Sequence, residues 1–439
     1  MQTSQYFLRI GMRKMKEERR QEYESYLLKN LIVDQDEFLE QYNPWQTERA
    51  NNLINKFLKI TSSIDSKQSK DNKITYNEND FSWLEIEEDY ENAYLSKKPK
   101  MTFYKNIHFG IPNHFHGDIS KATIFQCLAN PNIALEDKKN SPKDLGEFYE
   151  KFKSEHVEDV SSDLSNFKDS NSIKNHLFDL NNSILSKEFN NLIKKDKDER
   201  INLINSQNNL ANGHYYLARY YYPMLIKKAP KTNTFNQFRK AYLNSEKLNT
   251  LQDVKEKIDR IKLCNLEVFP FRSQNPQLYS KSEATPLIGK ELISYNNKTT
   301  LFSPRIILRR IALSIKHNEE NKYKNNFEPD IPIFIFRRYE YVWKDLIRRT
   351  LKESYDIQNE ELIDEILIYL EDNYFYYLKD KYTKSRSGGA LLINNINYKA
   401  KNIPLRKEKR ALEEQQEFDE HYLKLKKDHK TLIFEEDND

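Results

Sequence analysis

HGDISKATIFQCLANPNIALED, residues 116–137, is the stretch from which the fold is read. A polar entry of Gly117, Asp118, Ser120 and Lys121 leads into an apolar run from Ala122 to Ala129, broken by Gln126. Asn130-Pro131-Asn132 closes the run. An apolar-rich segment of this length ending at Asn-Pro reads as a buried strand that stops at a turn. Two later segments repeat the pattern. Leu263 to Phe269 is a core strand ended by Pro270-Phe271-Arg272-Ser273, and Ile331 to Phe336 is another, ended by Arg337-Arg338.

Helical patterns separate these strands. Asn181 to Leu203 carries Leu and Ile at helical spacing. Gly213 to Leu225 is a densely aromatic segment with Leu217, Tyr221 and Leu225 on one face. Residues 303–317 start with Ser303 as a cap and Pro304 at the first helical position. Tyr339 to Leu351 and residues 360–378 read as two further helices. Strands alternating with helices predict an α/β fold with a mainly parallel sheet. If the strand ends share one sheet edge, Asn130-Pro131-Asn132, the loop from Phe269 to Ser273, and Arg337-Arg338 converge there, together with Asn394-Asn395.

Outside this core, residues 14–32 and a segment from about Trp45 read as amphipathic helices, giving a helical N-terminal extension over 1–100. Residues 138–175 are rich in Lys, Asp, Ser and Asn and read as a surface insertion. From 405 to 439 the chain reads as a charged helical tail. The α/β domain then spans 101–404.

Composition narrows the chemistry. The 439 residues carry 71 Lys+Arg against 67 Asp+Glu, so overall charge does not argue for a nucleic-acid partner and local patches must. Mean hydropathy is −0.89, yet 28 Tyr and 24 Phe supply a real core. With 8 Gly and neither GxGxxG nor GxxxxGK[ST], no glycine-rich phosphate loop is expected. Two cysteines, Cys127 and Cys264, fall inside apolar runs and give no disulfide framework or Cys-based zinc site, which fits the cytoplasm. No signal peptide or membrane span is read, nor any cofactor or metal site. His108, His114 and His116 cluster before the first strand without acids at ligand spacing, and His116 reads as a loop residue at a site entrance. Lys227, Lys228, Lys231, Arg239 and Lys240, interleaved with aromatics, suit either a nucleic-acid backbone or a solvated helix face.

The order of these motifs resembles an uncharacterised bacterial branch of the uracil-DNA glycosylase-like superfamily. The resemblance rests on Gly117 to Pro131 (G-D-x-x-K-A, apolar strand, N-P), Tyr215 to Pro223, Leu266 to Ser273 (L-E-x-F-P-F-x-S), and Ile333 to Trp343 (apolar strand, R-R, helix with Trp). It covers about residues 101 to 404. It implies a three-layer α/β/α core around a short, mainly parallel sheet, and hydrolysis of an N-glycosidic bond after a nucleotide is flipped from DNA. By that resemblance Asn130 orients the water; Arg337 stands where the superfamily has its base-stabilising His, and a guanidinium there suits either stabilising the departing base anion or gripping a phosphate. Pro131, Asn132, His116, Phe271, Ser273 and Arg338 are candidate substrate contacts, and Lys227, Lys228, Lys231 and Arg239, read from their own pattern, are candidate backbone contacts. Phe271 is equally readable as a stacking platform or a core ring. Well-studied members carry a His-Pro-Ser type loop after the third strand, where this chain has Arg337-Arg338. That departure keeps a second reading open: a non-catalytic nucleic-acid- or protein-binding module on the same fold, with helical extensions for self-association or partners. Phage defence is a compatible setting.

Overall fold

A computed structural model describes residues 19–65, 81–88, 108–131, 142, 144–155, 160–225, 234–244, 255–256, 258–259, 261–272, 297–378 and 396–398. Among the described residues seven strands form one sheet: β1 Phe115–His116, β2 Ile124–Leu128, β3 Phe178–Asp179, β4 Leu263–Glu267, β5 Ile333–Phe336, β6 Phe375–Leu378 and β7 Ile396–Tyr398. Their order is β3-β1-β4-β2-β5-β6-β7. The central strands β4, β2, β5 and β6 pair in parallel, β1 pairs antiparallel with β4, and β7 pairs antiparallel with β6. The fold is therefore α/β with a mixed, mostly parallel sheet. The three strands read from the sequence are its centre. The short β1 and β3 were not legible, because two residues carry no periodicity.

The strands β2, β4 and β5 are buried along their whole length, which is why they read as apolar-rich runs without a polar face. Successive side chains alternate between two core clusters. Phe125, Cys127, Cys264, Leu266, Phe334 and Phe336 join one; Ile124, Leu128, Leu263, Ile333 and Ile335 join the other. Residues from helices belong to both clusters. Phe125 stacks on Phe334 across the β2–β5 pair at 4.7 Å. Gly117, leaving β1 at φ +119°, lies so close to β4 that a Cβ would sit 2.4 Å from the Leu263 carbonyl.

The described N-terminal residues are not a separate arm. Leu27, Trp45, Ile54 and Phe57 belong to the same core as Phe271 and Phe302. A pair of buried arginines in helix Lys298–Asn321 explains the join. Arg309 donates to the carbonyls of Ile32 and Val33 (both 2.8 Å) and to Ser120 Oγ (2.9 Å). Arg310 forks onto Asp330 (2.7 and 2.6 Å) and donates to the Ala122 carbonyl at the entry to β2 (2.9 Å). The polar stretch 138–175 also departs from its reading as a surface insertion. Its helices Leu145–Glu155 and Ser170–Leu177 bury Phe148, Phe152, Ile173 and Leu177. The charged tail lies outside the described residues.

Three helix boundaries differ for identifiable reasons. Helix Lys298–Asn321 begins before Ser303 and holds Pro304 inside it. Its first turn is held from outside, because the buried Glu87 carboxylate accepts from the Thr299 backbone N–H (3.2 Å). Residues 181–203 form two helices, Ile184–Ile193 and Lys197–Ile204, the second capped by Asp196. Helix Glu360–Asn373 stops where Tyr374 to Leu378 turns aromatic, and β6 follows. Among the described residues, no helix is long and apolar enough to cross a membrane.

Candidate functional site

Strand β2 is flanked by β4 on one side and β5 on the other, all parallel. The chain runs from β2 to β4 on one side and returns to β5 on the other. Such a reversal opens a crevice at the carboxyl ends of the strands. Backbone hydrogen bonds continue past the strands and seat the three expected loops side by side. Val268 and Phe269 N–H donate to Leu128 and Ala129 (3.2 and 3.1 Å), and Arg337 N–H donates to Cys127 (2.8 Å). The expected convergence holds for Asn130-Pro131, Phe269–Arg272 and Arg337-Arg338. Asn394-Asn395, Asn132, Ser273, Lys227, Lys228 and Lys231 lie outside the described residues.

Asn130 is half-buried, and its Nδ2 donates to the Pro131 carbonyl at 3.0 Å. Arg337 is half-buried too, with Nη1 on the Tyr220 hydroxyl at 3.2 Å. Arg338 takes φ 63°, a left-handed conformation that is uncommon outside glycine and concentrates at functional turns. Phe271 resolves to a core ring. It is 1% exposed, packed edge-on against Phe269 (5.2 Å) and Trp45 (6.4 Å), so it offers no platform for a base. His116 is not a loop residue. It is buried in β1, its Nδ1 3.1 Å from Lys187 Nζ, and burial, with Lys187 next, holds it neutral. Arg239 sits on helix Thr234–Asn244 and reaches the Asn205 carbonyl (3.4 Å). The other two histidines go elsewhere: His108 to Ser82 Oγ (2.6 Å), His114 Nδ1 to Trp45 Nε1 (2.9 Å). Among the described residues, no group of His, Cys, Asp and Glu is placed to hold a metal.

Behind the loops lies a polar network. Glu267, the last residue of β4, is fully buried, and its Oε1 accepts from the Tyr216 hydroxyl at 2.9 Å. Burial pushes its carboxyl up to about 8, opposed by the Tyr216 bond and then by Arg337 and Arg272. Its Oε2 has no partner among the described residues. Nor do both amide atoms of Asn265, two residues earlier on the same sheet face, or the Tyr221 hydroxyl. Arg337 and Arg272 act on Glu267 electrostatically, while its direct bond comes from tyrosine. Tyr220 is held protonated mainly by burial, while Arg337, tied to Tyr220, keeps its charge. Two π-helical turns, Leu217–Tyr221 and Tyr339–Trp343, flank this network. Such turns favour functional sites. The sequence signal for it was the glutamate inside a core strand and the tyrosine-dense segment. Its meaning depended on register.

A pocket of about 640 Å³ opens beside the same edge, walled by His116, Pro131, Lys187, Glu188, Tyr216 and Arg272. Lys187 Nζ is 3.1 Å from Asp179 Oδ2 as well as from His116. Both Glu188 oxygens accept backbone N–H groups at the start of the aromatic turn, from Tyr216 (3.1 Å) and Leu217. Pro131, the chain neighbour of Asn130, walls the pocket, whereas Asn130 and Arg337 are not among its lining residues; Tyr216 links the pocket to Glu267. The ensemble offers a loop amide, a guanidinium, a neutral imidazole and a carboxyl that stays protonated near neutral pH. Comparison with protein-family models, curated proteins and solved structures finds no match for this chain.

Proposed function

We propose that the protein is a DNA-binding, glycosylase-like hydrolase that accepts a flipped nucleotide and cleaves its N-glycosidic bond. The observation that supports this is the placement of Asn130-Pro131 and Arg337-Arg338 after adjacent parallel strands at the sheet's switch point, with Pro131 also walling the pocket. In this reading the core is a three-layer α/β/α arrangement, and the flipped base enters the pocket. The Asn130 amide orients a water toward the sugar C1′. The bond from C1′ to the base nitrogen breaks with its electron pair leaving on the base. Water oxygen bonds to C1′, and its proton passes to the released base. An amide orients water without acting as a strong base, which suits a cation-like sugar. Arg337 supplies positive charge where the base anion develops.

Formation of abasic sites in uracil-containing, mismatched and modified-base DNA tests this proposal. Wild type yields product and Arg337→Gln loses most of it. Wild type without product on every substrate contradicts the reading.

One observation favours the non-catalytic alternative: Arg337 is already engaged by Tyr220, so its guanidinium is partly spent. Salt-dependent DNA binding without product would support that reading instead.

A further inference from the structure

The pocket is larger and more amide-rich than an unmodified base requires. About 640 Å³ lies in the middle of the range that holds drug-sized ligands. A lone pyrimidine would leave most of it to water. Three of its charged walls, Lys187, Glu188 and Arg272, are already occupied. Lys187 is held by Asp179, His116 and the Asn175 carbonyl. Glu188 spends both oxygens on backbone N–H groups. Arg272 is 7% exposed and faces the Glu267 carboxyl electrostatically. Apart from Lys194, an exposed side chain just past helix Ile184–Ile193, what remains for a ligand is uncharged. Asn113, Asn175, Asn191 and Asn212 line the pocket from four different segments, with Ser172 beside them and Tyr215 as an aromatic wall. Each carboxamide both donates and accepts, as a hydroxyl does. Asn113 adds an independent observation: it is 2% exposed, lines the pocket, and its Oδ1 has no partner among the described residues. A buried acceptor without a donor is unfavourable, and a ligand O–H supplies one.

We propose that this pocket takes a base bearing a bulky, uncharged, hydroxyl-rich substituent, a modified nucleotide rather than an unmodified one. The inference rests on the reading that the pocket receives the flipped base. A base carrying a sugar has this chemistry: its hydroxyls meet the asparagines and its ring packs on Tyr215. A site built to bond hydroxyls rejects the ligand that lacks them.

Calorimetric titration of the full chain tests it. The probes are single-stranded oligonucleotides holding one cytosine, one 5-hydroxymethylcytosine, or one 5-hydroxymethylcytosine with a hexose on its hydroxymethyl oxygen, and the corresponding free nucleosides. The hexose-bearing probes bind at least about tenfold tighter than the parents, one good hydrogen bond's worth of discrimination. Asn113→Leu and Asn191→Ala each remove most of that preference. Asn191 is half-buried on helix Ile184–Ile193, so its variant keeps the test valid if Asn113→Leu fails to fold. Equal affinity for the three probes, or a preference that survives Asn191→Ala, overturns the inference. Release of unmodified bases without preference overturns it while leaving the hydrolase reading intact. A preference without any base release supports the pocket's specificity and removes the hydrolase reading.

Discussion

Glu267 is the residue whose environment departs furthest from its chemistry in water. A glutamate at the end of a central strand, bonded by one tyrosine, holds its proton to about pH 8. The unfolded chain releases that proton near pH 4.3. Between those values the folded state binds more protons, so stability falls as pH rises toward 8. Glu267→Gln keeps an acceptor for Tyr216 and removes the titration. Denaturant unfolding at a series of pH values then shows a flatter dependence across pH 4.5–8 in the variant, and an unchanged slope would exclude Glu267 as the source. Gly117 is constrained in a different way. Its φ of +119° and the nearby Leu263 carbonyl leave no room for a methyl group. Gly117→Ala is expected to lose about 1–3 kcal/mol or more from backbone strain, read as a lower denaturation midpoint.

At the scale of elements, the long helix Lys298–Asn321 holds the molecule together through its two buried arginines. Arg310 serves Asp330 and the Ala122 carbonyl at once. Arg310→Ala leaves both without their donor, and because Asp330 is part-exposed a loss of about 3 kcal/mol, the low end for breaking a buried pair, is expected. Chemical denaturation measures it. The sequence showed this helix but not the role of Arg309-Arg310, because the partners Ile32, Ser120 and Asp330 lie far apart in the chain. The central strands were legible because both of their faces are buried, so Ile124–Leu128, Leu263–Glu267 and Ile333–Phe336 read as apolar-rich runs interrupted only by Gln126, Asn265 and Glu267. Strand β6 was not: Leu362, Ile366 and Leu370 carry the helical period forward, and the chain changes to a strand inside an aromatic run. The site was half legible. Strand-end loops marked Asn130 and Arg337. The Tyr216–Glu267 bond and the Lys187–Asp179–His116 cluster depend on which residues face each other across the sheet, and spacing alone does not carry that. Phe271 looked the same from the sequence whether it stacked on a ligand or on Trp45.

Over the whole molecule, N-terminal helices, α/β body and the helices within 145–177 share core clusters, so the described chain is expected to unfold cooperatively. Burial holds His114 down to about 3 and His214 down to about 4, and His116 is also depressed. Their unfolded forms take up protons near pH 6.5. Below that pH the unfolded state binds more protons, so these groups contribute stability that is present above pH 6.5 and lost on acidification. With Glu267 acting in the opposite sense, the midpoint of thermal unfolding should fall steeply below pH 6, and His114→Gln should shift that acid limb downward. The switch-point edge carries the proposed chemistry, because it seats Asn130 and Arg337 after adjacent strands, from segments some two hundred residues apart, with Pro131 on the wall of the neighbouring pocket. Mass-spectrometric detection of free base, released under single turnover from oligonucleotides carrying unmodified and modified bases, tests that claim most directly. The expected result is base release by the wild-type chain and a loss of roughly 10²–10³ in rate in Asn130→Ala, the scale of removing one positioned polar group. No released base from wild type, or an unchanged rate in Asn130→Ala, would contradict it.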